Sequence, residues 1–188
     1  EVNGEGVFIE FNEDTLSQWL DIPTVKTLSQ RYAECYEEFC ASKGWTLNVR
    51  RNAIYVLMHT FAHLLIKQMS MESGYSSSAI RERIYFSEKM AGILLYTGST
   101  DKEGSLGGLV ELGNINKLVP IMKEAFQEAL LCTNDPECMS NVPASNNLNG
   151  AACHSCCMIS ETACENGNRM LDRGLVVPIA LREKESFF

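Results

Sequence analysis

No cluster of lysine or arginine occurs in this sequence: its 188 residues carry 16 basic side chains against 24 acidic ones, a formal charge of -8. A free-standing nucleic-acid binder draws most of its affinity from neutralising phosphates with a basic face. Unaided DNA binding is therefore disfavoured. Long apolar runs are also missing, since stretches such as Ile54 to Met58 and Leu64 to Ile66 end at His59 and Lys67, far short of the roughly 20 residues of a membrane span. The opening Glu1 to Gly6 lacks the basic start and apolar centre of a signal peptide, so a cytoplasmic location is expected. A start at Glu rather than Met suggests a piece of something larger. A Walker loop and a dinucleotide fingerprint are both absent, which excludes an ATP-driven motor within this chain.

What is present is an ordinary globular composition, 45% hydrophobic and 21% charged, long enough to bury one core. The pattern predicts a single α+β domain over 1–188 with a central buried helix, a small sheet and a loop-rich C-terminal region. Val7 to Phe11 reads as a strand, and Asn12 as the cap of a short helix carrying Leu16, Trp19 and Leu20. Leu28, Tyr32, Cys35, Tyr36, Phe39 and Cys40 recur at helical spacing up to Gly44. From Leu47 to about Met71 the chain is apolar nearly all round, with Asn52, Tyr55, His59, His63 and Lys67 as one polar stripe. Ser76 to Ser78 can start a short helix, Arg83 to Phe86 reads as extended, and Ile93 to Thr97 reads as a buried strand. A polar, glycine-bearing loop follows, 98–108. A helix from about Lys117 to Leu131 contains Pro120, tolerable if it falls in the first turn. A last helical segment near Glu165 to Arg173 and a strand at Leu175 to Val177 are expected.

Eight cysteines are present and six of them crowd between Cys132 and Cys164. Such crowding suits a shared metal better than disulfides spread over a secreted fold. Zinc takes four thiolate or imidazole ligands at tetrahedral corners, and two residues between cysteines let one tight turn present both sulfurs. Cys153 and Cys156 have that spacing. Cys157 is the first exclusion, because adjacent residues seldom reach one metal. The expected ligands are Cys153, Cys156 and Cys164 with either Cys132 or Cys138 as the fourth, within a zinc-binding subregion over 132–173. Four protein ligands close the coordination sphere, which makes the zinc structural.

His59 and His63 share a helical face. An i, i+4 pair can ligate a metal, yet the glutamate of the His-Glu-x-x-His zincins is absent from His59-Thr60-Phe61-Ala62-His63. Two histidines hydrogen-bonded along a buried polar stripe is the plainer reading. The competing one gathers His59, His63, Glu82 and Asp101 into the catalytic centre of a phosphoester or nucleic-acid hydrolase. Ser99, Asp101, Ser105 and Gly107-Gly108 could also cradle a phosphate, although a flexible connection explains them as well. A redox sensor built on adjacent Cys156 and Cys157 is a third class.

Several segments taken in order resemble a known family: Leu57 to Leu65, Arg81 to Tyr85, Tyr96 to Asp101 with Gly104 to Leu109, and Ala151 to Cys156 with Glu161 to Glu165 and Asn168 to Arg173. The chain is similar, from Gly4 onward, to the C-terminal domain of DrmB-type proteins of the DISARM anti-phage systems. A more distant version ends the MrfA-type DNA-repair helicases, where four cysteines bind zinc. The resemblance implies a helicase-associated module of DNA repair or phage defence, non-catalytic and stabilised by a zinc on Cys153, Cys156, Cys164 and an upstream cysteine. Its implied partner is a helicase subunit, DrmA, or a helicase domain, with DNA met only inside a larger complex and no membrane involved. Compared with the helicase version, Cys157 is additional and the upstream cysteines are farther away.

Overall fold

The structure, a computed structural model, describes residues 4–47, 49–76, 78–87, 90–97 and 108–188. Its first two-thirds hold the regular elements, in the order β1 (Gly6–Glu10), α1 (Glu13–Leu20), α2 (Pro23–Lys43), α3 (Ala53–Ser73), β2 (Ile80–Ser87), β3 (Met90–Thr97), α4 (Gly108–Leu112) and α5 (Ile115–Ala129). The remainder is turns and loops, with a 3-10 turn at Arg173–Leu175. No helix among the described residues is long and apolar enough to cross a membrane.

Local chemistry sets the helix limits. Asn12 caps α1 by accepting from the Thr15 amide at 2.9 Å. The side chain of Asn52 accepts from the amides of Ile54 and Tyr55, which starts α3 at Ala53 rather than at Leu47 as its apolar content suggests. Gly44 and Gly74 close α2 and α3 in the left-handed conformation, with φ of 67° and 73°, where a Cβ is disfavoured. No helix starts at Ser76, whose carbonyl instead accepts from the Ala79 amide to turn the chain into β2. Asn114 caps α5, so Pro120 falls in its second turn rather than its first. Pro120 cannot donate to the carbonyl four residues back, that of Asn116, and this residue is exposed to water that can satisfy it.

The sheet is antiparallel with order β1-β3-β2. In β2 the buried or half-buried positions alternate, placing Ile80, Glu82, Ile84 and Phe86 on the inner face. A carboxylate thus occupies a core register. Against this face lies α3, buried from Val56 to Ile66 with no exposed side. One continuous core joins it to α1, α2, α5 and the tail.

The segment expected as a helix near Glu165 to Arg173 is not one. Gly167, Asn168 and Met170 have φ of 58°, 56° and 64°, and the amides of Asn166 and Asn168 donate to the Cys164 sulfur. The expected strand at Leu175 to Val177 is likewise replaced, because the amides of Val176 and Val177 donate back to the Arg173 carbonyl. Buried side chains supply the order that ladders would otherwise give. The Asn168 amide group exchanges two hydrogen bonds with the Ile159 backbone, and Asn149 bridges the Asn168 carbonyl and the Leu171 amide.

Candidate metal centres

Residues 132–157 form two knuckles that face each other. In the second, the amides of Cys156, Cys157 and Met158 all donate to the Cys153 carbonyl. That single turn puts Cys153 and Cys156 on one side and sends Cys157 inward, its thiol 4.0 Å from the Ala151 carbonyl. The first knuckle is held by Asp135, whose carboxylate accepts from the amides of Cys132 and Met139. Arg173, wholly buried, grips that carboxylate at 2.6 and 2.7 Å and caps α5 through the carbonyls of Ala129 and Leu130. The guanidinium thereby fixes the knuckle to the end of the helix.

The four sulfurs of Cys132, Cys138, Cys153 and Cys156 lie within 4.8 Å of one another. Cys132 and Cys153 are 3.4 Å apart, and Cys156 is 3.7 Å from both Cys138 and Cys153. These separations are far beyond a disulfide bond of about 2.05 Å, and all eight cysteines are free. A tetrahedron of Zn–S bonds near 2.3 Å has edges of about 3.8 Å, so the residues present fit a zinc ion. The Cys153 amide and the Asn134 side chain direct hydrogens at the sulfurs of Cys156 and Cys153. The Cys156 thiol is lowered to about 5, first by its hydrogen bond with Cys157 and also by the Cys153 backbone. Burial and the neighbouring Cys156 charge push Cys138 the other way. One thiolate is favoured while its neighbour resists ionisation, the electrostatic problem that a shared dication resolves.

Cys164 is not in this group. It lies with His59, His63 and Glu82, whose ligand atoms also fall within 4.8 Å of one another. The grouping therefore pairs both Cys132 and Cys138 with Cys153 and Cys156, and moves Cys164 to a second cluster. Helical spacing brings His59 and His63 together on α3, their ring centroids 4.5 Å apart, and the inner register of β2 delivers Glu82. His59 Nε2 is 2.8 Å from Glu82 Oε1 and 3.2 Å from Cys164 Sγ, while His63 Nε2 is 3.3 Å from Glu82 Oε2. The histidine and glutamate side chains have no exposure to solvent. Burial alone would raise the Glu82 carboxyl, but the two imidazoles hold it well below its ordinary range. Burial opposes protonation of His63 and the Glu82 charge outweighs it, leaving His63 raised.

Asp101, with Ser99, Ser105 and Gly107, lies outside the described residues. The remaining hydrolase candidates do converge, yet their side chains have no exposure to solvent. Convergence of Cys164 with the histidines was the feature spacing did not reveal. Its available signal was the alternation Ile80, Glu82, Ile84, Phe86, which places a carboxylate on a core face in need of partners.

The polar stripe of α3 docks the tail. Lys67 donates to the carbonyls of Ser155 and Cys156, His63 Nδ1 meets the Cys157 carbonyl at 2.9 Å, His59 Nδ1 meets that of Met170 at 3.2 Å, and Thr60 accepts from the Asp172 amide. Asp172, fully buried, in turn accepts from Tyr32, from the amides of Ala151 and Gly174, and from both Arg182 terminal nitrogens.

Comparison with known proteins agrees with this picture. The chain is 53% identical over 190 residues to the DISARM protein DrmB of Bacillus paralicheniformis, an alignment that covers 100% of the chain and 34% of that relative. The chain thus spans about a third of the length of the relative it matches. The MrfA Zn-binding domain matches residues 61–157, which include the four clustered cysteines of the two knuckles. On that match, over half of its length, the chain belongs to the family of MrfA Zn-binding domains.

Proposed function

We propose that this chain is a non-catalytic, zinc-stabilised module of a helicase-associated, DISARM-like defence complex, and that it works through protein contacts. The observation that carries the reading is the tetrahedral gathering of Cys132, Cys138, Cys153 and Cys156, which fits one zinc and has no open coordination position. Identity to a DISARM protein along the whole chain supports the setting. The charge of -8 supports a protein partner over naked DNA. That partner is a helicase subunit or helicase domain, with DNA reached only in the assembly. In this role the zinc folds a loop-rich surface, and Cys132, Cys138, Cys153 and Cys156 hold it there. The alternative hydrolase finds no support, since its histidines and glutamate are sealed from solvent.

Co-purification with the helicase-bearing subunit tests the reading. The unaltered protein should co-elute with it, and Cys156→Ala should lose both the zinc and the association, whereas Cys157→Ala should keep both. Nuclease or phosphatase turnover that vanishes in Glu82→Gln at unchanged melting temperature would overturn it.

A further inference from the structure

The second cluster raises a question of charge and hydrogen-bond direction that the four-cysteine site does not answer. His59 Nδ1 and His63 Nδ1 each face a backbone carbonyl. A carbonyl only accepts, so both rings carry a hydrogen on Nδ1, and Nε2 is the nitrogen that each turns inward. Both Nε2 atoms point at the Glu82 carboxylate, and that of His59 also at Cys164 Sγ. His63 Nε2 and both Glu82 oxygens are buried without a hydrogen bond, although they lie within 2.8 to 3.3 Å of opposing ligand atoms. A carboxylate buried against two imidazole nitrogens and a sulfur needs a cation among them, either ring protons or a metal ion held by all four residues.

We propose that His59, His63, Glu82 and Cys164 form a second structural zinc site, separate from the four-cysteine site. Two imidazole nitrogens, a carboxylate and a thiolate suit zinc, a borderline-soft ion that accepts all three donor types. The separations of 2.8 to 3.3 Å approach the edges of a tetrahedron built on Zn–N bonds of about 2.0 Å and Zn–S bonds of about 2.3 Å. Charge also balances, because the carboxylate and thiolate cancel the dication and leave a neutral centre in a solvent-free site. Carbonyls of Met170 and Cys157 hold both rings with Nε2 inward, the outer support that metal-bound histidines usually have. The amides of Asn166 and Asn168 donate to Cys164 Sγ at 3.4 and 3.2 Å, which holds the sulfur in place. His59 and Cys164 lie outside the residues that the Zn-binding family matches, so this site is not the one the family description covers. It stands independently of the proposed role in a defence complex.

Zinc counted by native mass spectrometry and by elemental analysis tests the proposal. The unaltered chain should bind two zinc ions, and Glu82→Gln, Cys164→Ala and Cys156→Ala should each bind one fewer. Cobalt substitution adds an independent readout: the Cys156→Ala protein should keep a weaker thiolate charge-transfer band from the single remaining cysteine ligand. An unaltered chain that holds one zinc, lost in Cys156→Ala and kept in the nearly isosteric Glu82→Gln, would overturn the second site and leave a protonated histidine–glutamate cluster. One zinc lost in Glu82→Gln but kept in Cys156→Ala would instead sustain this site and sink the four-cysteine one. Because the count in the unaltered chain is read first, a variant that fails to fold does not remove the test.

Discussion

Gly150 shows how tightly single positions are specified in the tail. A Cβ built there would sit 2.3 Å from the Asp172 carboxylate and 2.4 Å from the Tyr32 hydroxyl, two groups already joined at 2.7 Å in the core. Neither can retreat, since Asp172 is also held by Arg182 and two backbone amides. Gly150→Ala should therefore lose about 2 to 3 kcal/mol of stability from overpacking and a disturbed charged hydrogen bond, measurable by urea unfolding. A melting temperature equal to that of the unaltered protein would show that the contact relaxes freely. At this scale sequence reading went furthest where chemistry is local. Asn12 as a cap and the Cys153–Cys156 turn are written in adjacent residues, whereas the meeting of Tyr32, Gly150 and Asp172 depends on chain segments more than a hundred residues apart.

Among the elements, α5 depends on a residue outside itself. Its last turn holds no basic side chain, and the missing cation is Arg173, which caps its end and clamps Asp135 in the first cysteine knuckle. Replacing Arg173 by Met keeps the volume but strands a largely buried carboxylate and two helix carbonyls, at a cost of about 3 kcal/mol. The same change should weaken zinc retention, because Asp135 orients the Cys132 amide. A competition titration with a chelator would register this, and unchanged zinc affinity would mean the knuckle is set by the cysteines alone. Most helices and strands of the first two-thirds were legible from their periodic burial, as in α2 and β3, whereas α4 was not expected and the helix expected at Ser76 is a turn. The expected helix at Glu165 to Arg173 failed for a physical reason: the Cys164 sulfur takes amides that a helix would need, and three residues adopt positive φ.

For the molecule as a whole, order is unevenly sourced. One continuous apolar core runs from the strands and helices into the tail, but 132–173 has almost no regular secondary structure and is ordered by cysteines, buried amides and the Asp172 and Asp135 charge clusters as well. Chelation should consequently raise hydrogen exchange first and most in 132–173, with α1 and α2 remaining protected. Uniform loss of protection across the chain would indicate that the fold has no metal-independent part. The fold class and the crowding of cysteines were readable from the sequence. The partition of the cysteines between two clusters was not, because the position of Cys164 is decided by where α3 and β2 carry their polar side chains, not by its distance along the chain from Cys156.

The stripe on α3 has a consequence for tolerance to change. Lys67, His63 and His59 engage carbonyls of residues 155, 156, 157 and 170, which every amino acid offers, and Thr60 accepts from the amide of residue 172, which every amino acid but proline offers. At these points the helix reads the path of the tail rather than its lettering, whereas at Cys164, 3.2 Å from His59 Nε2, it meets a side chain. In a saturation mutagenesis screen scored by abundance, exposed Ser155 should accept most residues despite contributing a docking carbonyl. Its counterpart Lys67 should accept few, because the donor exists only in the side chain. Docking information is concentrated in one helix, which leaves the outer surface of the tail free to diversify while its course stays the same.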